Sequence, residues 1–197
     1  MRDAVALVAL VVELPVPLFW LLMHPAAEFW RSRARARYYW MAPAVWAGVA
    51  LALLLPLDWW LEERFSRHPL FAVAGALLLL GDVWLIRRVE HQAGWRVLVG
   101  LPELHSRKSG AGQSSQPRGQ VVSAGNYRRV RHPRYVGMML AWAGAVLLTG
   151  STRLLVLVAG FMGLALLVTE LEERELLARL GEDYAEYRRR VPRFLPR

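Results

Sequence analysis

Five long apolar runs, roughly Ala4–Met23, Tyr39–Leu57, Pro69–Ile86, Tyr135–Gly150 and Leu154–Thr169, alternate with arginine-rich segments. A single water-soluble core does not easily accommodate that alternation in a chain of 197 residues, 55% of them hydrophobic. A membrane span takes about 20 apolar residues, within a range near 17–25, and the first three runs reach that length. The last two, each about 24 Å long as helix, need polar-ended extensions to cross. Only Ser151, Thr152 and Arg153 separate them, which predicts a tight helical hairpin. The alternative for that pair is a buried hairpin in a soluble bundle. The first run is broken by Glu13, Pro15 and Pro17 and lacks a small-residue cleavage site, so it reads as a span rather than a signal peptide.

Charge orders these spans. The chain has 25 Lys+Arg against 16 Asp+Glu, a formal charge of +9, and every basic residue but Lys108 is arginine. Basic side chains flank the apolar runs instead of interleaving with aromatic and polar groups on one surface, which argues against nucleic acid as a partner. Four of them (Arg31, Arg33, Arg35, Arg37) follow the first run, ten lie in Arg87–Arg134 and seven in the tail from Arg174. Arg2, Arg64, Arg67 and Arg153 fall on the other side. The positive-inside rule then predicts five spans, with the N-terminus outside and the long loop and tail in the cytoplasm. The Arg31–Arg37 cluster is expected to set topology and meet anionic lipid. Trp20, Trp40, Trp59 and Trp60 are expected as interfacial anchors.

The expected architecture is therefore an all-α polytopic membrane protein. Residues 1–86 supply three N-terminal transmembrane helices. Residues 87–197 supply a core made of a cytoplasmic loop, a hairpin over 135–170 and an amphipathic C-terminal helix. Within the loop, Ser106–Gly119 is rich in Gly, Ser and Gln and reads as a flexible linker. In the tail, Leu176, Leu177, Leu180, Tyr184, Tyr187 and Val191 recur at helical spacing on one apolar face, until Val191-Pro192 ends the helix. The absence of cysteine excludes disulfides, thiolate catalysis and Cys-based zinc sites.

Chemistry is expected where the hairpin brings its two polar flanks together. Gly125–Gly137 (GNYRRVRHPRYVG) precedes the fourth run, and Glu172–Pro196 follows the fifth. Together they cluster His132, Tyr127, Tyr135, Glu170, Glu172, Glu173 and several arginines. Glu13 and Asp82 are two further acids inside apolar runs, where ionisable groups are functional candidates by default. Glu13 could equally satisfy backbone freed by the neighbouring prolines. Arg67-His68-Pro69 repeats the Arg-His-Pro triplet without a following Tyr and reads as coincidence.

The paired segments resemble the isoprenylcysteine carboxyl methyltransferase family and the related phospholipid methyltransferases. The G-x-Y-x-x-x-R-H-P-x-Y-x-G pattern is met by Gly125, Tyr127, Arg131, His132, Pro133, Tyr135 and Gly137. After the hairpin come E-E-x-x-L (Glu172, Glu173, Leu176), G-x-x-Y-x-x-Y (Gly181, Tyr184, Tyr187) and a basic-V-P ending (Arg190, Val191, Pro192). The match covers about residues 119–196. It implies an integral-membrane methyltransferase that uses S-adenosylmethionine without a Rossmann fold, and no G-x-G-x-x-G follows a strand-like run here.

By position, the resemblance implies a cofactor pocket lined by Gly119, Gln120, Val121, Val122, Tyr127, His132, Pro133, Arg134, Tyr135 and Glu172. His132 and Glu172 would meet the methionyl carboxylate and ammonium. His132, Glu172 and Glu173 are the candidate catalytic residues, a glutamate serving as base if the acceptor is an amine. No metal and no nucleic acid is implied. The acceptor would be a lipophilic small molecule or lipidated substrate entering from the bilayer, methylated on a carboxylate as in the carboxyl methyltransferases, or on an amine as in the phospholipid enzymes. Those carboxyl methyltransferases carry a substrate-binding Arg one turn before the glutamate, where this chain has Val168. The rival readings are a sterol-reductase-like oxidoreductase binding NADPH and a non-enzymatic membrane protein.

Overall fold

The computed structural model describes residues 1–26, 29, 35–93 and 121–196, and among them no β-strand occurs. The helices are α1 (Arg2–Glu13), α2 (Pro15–Met23), α3 (Arg35–Leu54), α4 (Leu57–Glu62), α5 (Pro69–Ala93), α6 (Pro133–Thr149), α7 (Thr152–Leu180) and α8 (Glu182–Arg190). Short 3₁₀ turns lie at His24–Ala26 and Gly125–Arg128. Leu14 keeps helical angles between α1 and α2, so the two form one apolar rod, Arg2–Met23. That rod, Pro69–His91 and Thr152–Leu180 are long and apolar enough to cross a membrane. Trp40–Leu54 and the 17-residue α6 are shorter. At 29 residues α7 reaches about 43 Å, against a hydrocarbon core of about 30 Å, so its charged last turns have room to stand clear of the lipid.

The hairpin turn is as tight as expected, and glycine makes it so. Gly150 sits at φ +63°, and a Cβ there would lie 1.7 Å from the Ser66 carbonyl oxygen. The α4–α5 connection clamps this turn: Phe65 N donates to Gly150 O at 2.8 Å and Thr152 N to Glu63 O at 3.1 Å. Ser151 Oγ caps α7 by accepting from Leu154 N at 3.1 Å, satisfying an amide the first turn leaves over.

The hairpin's arms do not lie mainly on each other. The chief neighbours of α6 are α5 and α1, because small residues let the backbones approach. A Cβ on Gly144 would fall 2.7 Å from Gly75 O, and one on Gly75 2.7 Å from Gly144 O. Between membrane helices such close backbone contact replaces the hydrophobic drive that lipid removes. The core gathers Ala6 and Leu10 of α1, Met138, Trp142 and Ala145 of α6, and Leu154, Val158 and Ala165 of α7. Val8, Leu77, Leu80 and Val156 stay exposed, as lipid-facing positions would.

Polar contacts divide between two ends of the bundle. At one, Arg64 and Arg67 pair with Asp3 (3.2 and 2.8 Å), Arg2 donates to Arg67 O, and Arg153 pairs with Glu62 at 2.9 Å. The four basic residues of the sparse side thus lie together. At the other end stand His24, the Tyr127–Tyr135 segment and the tail. Of the expected aromatic anchors, Trp40 and Trp59 are exposed, while Trp60 is half-buried and donates through Nε1 to Ala52 O at 3.0 Å. The tail's predicted apolar face closes on itself, with Tyr184, Tyr187 and Val191 packed on Val121, Leu176, Leu177 and Leu180. Gly181, at φ +58°, breaks it into two helices.

Candidate active site

The site grows from the first residues of α6. Pro133 occupies the first helical position, where its missing N–H costs nothing, and this fixes His132 as the residue entering the helix. The backbone on either side is tied to the tail: Arg131 N donates to Pro192 O at 2.9 Å and His132 N to Arg193 O at 3.1 Å. Tyr187 Oη donates to Tyr127 O at 2.7 Å. Both halves of the sequence signal are therefore stitched into one unit by hydrogen bonds to the main chain.

Glu173 is the centre of that unit and is fully buried. It accepts from Arg131 Nε at 2.9 Å, His132 Nε2 at 3.0 Å and Arg193 Nη2 at 2.8 Å, and Arg188 Nε lies 3.3 Å away. A buried carboxylate persists only when so compensated. Glu170 holds Arg193 from the next turn, at 2.7 Å. Sequence reasoning grouped Glu172 with Glu173, but the structure separates their surroundings. Glu172 keeps about a third of its side chain exposed, and its Oε2 lies 3.6 Å from His132 Nδ1.

That gap has a definite chemistry. An ionised carboxylate only accepts, so His132 Nε2 carries the hydrogen donated to Glu173, and in the neutral ring Nδ1 is an acceptor. His132 Nδ1 and Glu172 Oε2 then form two acceptors side by side, which suit a multi-proton donor such as an ammonium. Around them stand Tyr135, edge-on to His132 at 5.8 Å between ring centroids, and Phe194 at 6.0 Å. The Tyr135 hydroxyl is buried with no hydrogen-bond partner. Burial, with Glu172 adding to it and Arg134 opposing, pushes the Tyr127 hydroxyl up to about 12. It stays neutral and able to donate.

The sequence-predicted lining residues divide in two. Tyr127, His132, Pro133, Tyr135 and Glu172 come together at this end; Val121 packs under the tail and Val122 is exposed. Gly119 and Gln120 lie outside the described residues, as do Ser106–Gly119 and the side chains of Arg31–Arg37. Arg134 turns away from His132 and takes Glu13 of α1 through Nη2, with Asp82 of α5 3.7 Å from its Nη1. Glu13 is thus partnered by a side chain and not by the proline-freed backbone. Sequence reasoning placed neither acid in the site. Its only signal was their cost inside apolar runs.

A model of the family described as phospholipid methyltransferase matches residues 70–183, more than half the chain and every element from α5 to the start of α8. The chain belongs to the phospholipid methyltransferase family. Among curated relatives, methanethiol S-methyltransferase 2 of Bradyrhizobium diazoefficiens is 31% identical over 158 residues, 74% of this chain and 56% of that protein. The methanethiol S-methyltransferase of Mycobacterium tuberculosis is 42% identical over 71 residues, 36% of this chain and 28% of that protein. The chain spans about half the length, or less, of these relatives. No solved structure matches it. Within this family of membrane methyltransferases, the described residues contain no cluster of acids and histidines suited to a metal ion.

Proposed function

We propose that the chain is an S-adenosylmethionine-dependent methyltransferase whose acceptor is a small, lipophilic thiol. The observation that carries the cofactor is the His132 Nδ1–Glu172 Oε2 pair, two acceptors 3.6 Å apart beside a fully compensated Glu173. When bound, S-adenosylmethionine supplies an electrophilic methyl group on a sulfonium and an amino-acid ammonium. Glu172 and His132 would hold that ammonium, and Tyr127, Tyr135 and the Gly119–Val122 strip would line the rest. Pro133 fixes the helix start from which these side chains project. Glu173 acts as a positioning residue, since both its oxygens are already taken. Tyr187 and Arg193 keep the tail closed over it.

The acceptor class rests on the relatives' names, which say methanethiol. It also rests on Val168, fully buried where a carboxylate-binding Arg would stand. That residue argues against the carboxylate acceptor the motifs alone imply. A thiolate meeting a sulfonium neutralises charge in the transition state, so a dry site favours transfer. We further propose that α3 and α6 cross the membrane with the three longer helices, placing the N-terminus outside and the His132 end in the cytoplasm. The grouping of Arg2, Arg64, Arg67 and Arg153 at the opposite end supports this orientation.

The test is methyl transfer by detergent-purified protein from labelled S-adenosylmethionine to methanethiol, a farnesylcysteine analogue and phosphatidylethanolamine, assayed separately. Label in the volatile thioether is expected. Label only in a methyl ester or in the phospholipid overturns the thiol reading. For the cofactor, Glu172→Gln and His132→Ala should each weaken S-adenosylhomocysteine binding at least tenfold, about 1.4 kcal/mol; unchanged affinity removes both from the pocket.

A further inference from the structure

Two carboxylates and one guanidinium meet inside the bundle next to the site. Glu13 is 2% exposed and Asp82 5%, one on α1 and one on α5, and Arg134 reaches both from the first turn of α6. Glu13 and Arg134 are the charged groups that act on Asp82. With all three ionised the cluster holds one negative charge too many for so dry a place, where each uncompensated charge is expensive.

The surplus has a location. Asp82 Oδ1 and Arg134 Nη1 are both buried, and neither has a hydrogen-bond partner. They lie 3.7 Å apart, beyond the 2.7–3.2 Å of a direct hydrogen bond. A group that fills this gap must accept from Nη1 and donate to Oδ1, so it needs a lone pair and an X–H bond on one atom. A thiol or hydroxyl qualifies. An ionised carboxylate has no hydrogen to give, and an alkylammonium has no lone pair. Gly137 lets α6 pack directly on this acid, because a Cβ there would fall 2.6 Å from Asp82 Oδ1. Arg134 stands between Pro133 and Tyr135 in the first turn of α6, so the gap lies beside the same helix start as the candidate cofactor pocket.

We propose that this gap seats the acceptor's S–H group and that Asp82 is the base for the transfer. The thiol proton passes to Asp82 Oδ1 while a sulfur lone pair forms the new S–CH₃ bond. The bond between that methyl and the donor's sulfonium sulfur breaks, and its electron pair leaves the donor sulfur as a neutral thioether. Proton uptake cancels the surplus negative charge, and Arg134 Nη1 stabilises the sulfur as its charge develops. The assignment rests on the thiol-acceptor reading above and adds where that thiol sits.

The experiment compares wild type with Asp82→Asn in methyl transfer to ethanethiol and to the far more acidic trifluoroethanethiol, with S-adenosylhomocysteine affinity measured in parallel. A general base contributes about 10²–10⁴-fold. Asp82→Asn should therefore lose at least a hundredfold on ethanethiol, stay within tenfold of wild type on trifluoroethanethiol, and bind S-adenosylhomocysteine as wild type does. Equal loss on both thiols, or unchanged transfer to ethanethiol, overturns the assignment of Asp82. A wild type that transfers to neither thiol overturns the thiol reading itself, before any variant is compared. If Asp82→Asn does not fold, Gly137→Ala displaces the carboxylate without removing it, and the same split between thiols is required of it.

Discussion

His132 Nε2 lies 3.0 Å from Glu173 Oε1, a contact spanning 41 residues of sequence and the whole helical hairpin. The hairpin carries the two residues to the same end of the bundle, and the arginines then decide their roles. Glu173, with Arg131 and Arg193 also on it, has both oxygens taken; Glu172, one residue earlier and half-buried, is the carboxylate that our proposal assigns to a ligand. Glu173→Ala would strand four cationic or donor groups around a buried hole, a change of about 3–5 kcal/mol. Thermal unfolding in detergent should show a large drop for Glu173→Ala and almost none for Glu172→Gln. Equal midpoints would mean that the tail is not held by Glu173.

The crossing of α5 and α6 should be the bundle's least forgiving packing contact. Gly75→Ala and Gly144→Ala each place a methyl 2.7 Å from a backbone oxygen of the partner helix. Backbone cannot swing aside as a side chain can, so overpacking of about 1–3 kcal/mol or more is expected. Gly160→Ala, in α7 with nothing within 4 Å of the new Cβ, should be neutral or gain up to about 1 kcal/mol from helix propensity. Unfolding midpoints of the three variants decide it, and an equal loss in all three would remove the crossing as the explanation.

Much of this was legible in the sequence because membranes leave few choices. Apolar length and arginine placement pointed to the helices and to the two polar ends, and the hairpin between Gly150 and Arg153 followed from a three-residue break. The spacing of Leu176, Tyr184, Tyr187 and Val191 foretold the tail's buried face. What could not be read was partnership across long separations. Nothing local says that Arg134 turns toward Glu13, 121 residues earlier, while His132 faces Glu173. Nor does pattern alone distinguish Glu172 from Glu173, since one step along a helix rotates a side chain by about 100° and that rotation acquires meaning only when α6 and the tail are in place.

The tyrosines of the tail tie stability to alkaline pH. Burial raises the hydroxyls of Tyr127, to about 12, and of Tyr184 and Tyr187 above their ordinary value of about 10. Groups held neutral by the fold contribute stability that is fully present below pH 10 and is lost as pH rises from there through 12. Wild type should lose unfolding temperature across that window. Tyr187→Phe should be less stable at neutral pH by about 1 kcal/mol, the worth of its hydrogen bond to Tyr127 O, and should show a shallower alkaline loss. A parallel curve for the variant would place the alkaline transition elsewhere.

Glu13 lies outside the region matched by the family model, yet it is buried against a residue of the central motif. This ties α1 to the start of α6 through a charged pair as well as through apolar packing. A double-mutant cycle between Glu13→Gln and Arg134→Lys measures that claim. Side chains in direct contact within one charge network couple by about 0.5–3 kcal/mol, whereas independent sites add. Coupling above about 1 kcal/mol is expected in unfolding free energy, with Glu13→Gln alone costing more than an exposed pair would. Additive losses would mean that Arg134 is held by Asp82 alone and that α1 contributes only apolar packing through Ala6 and Leu10.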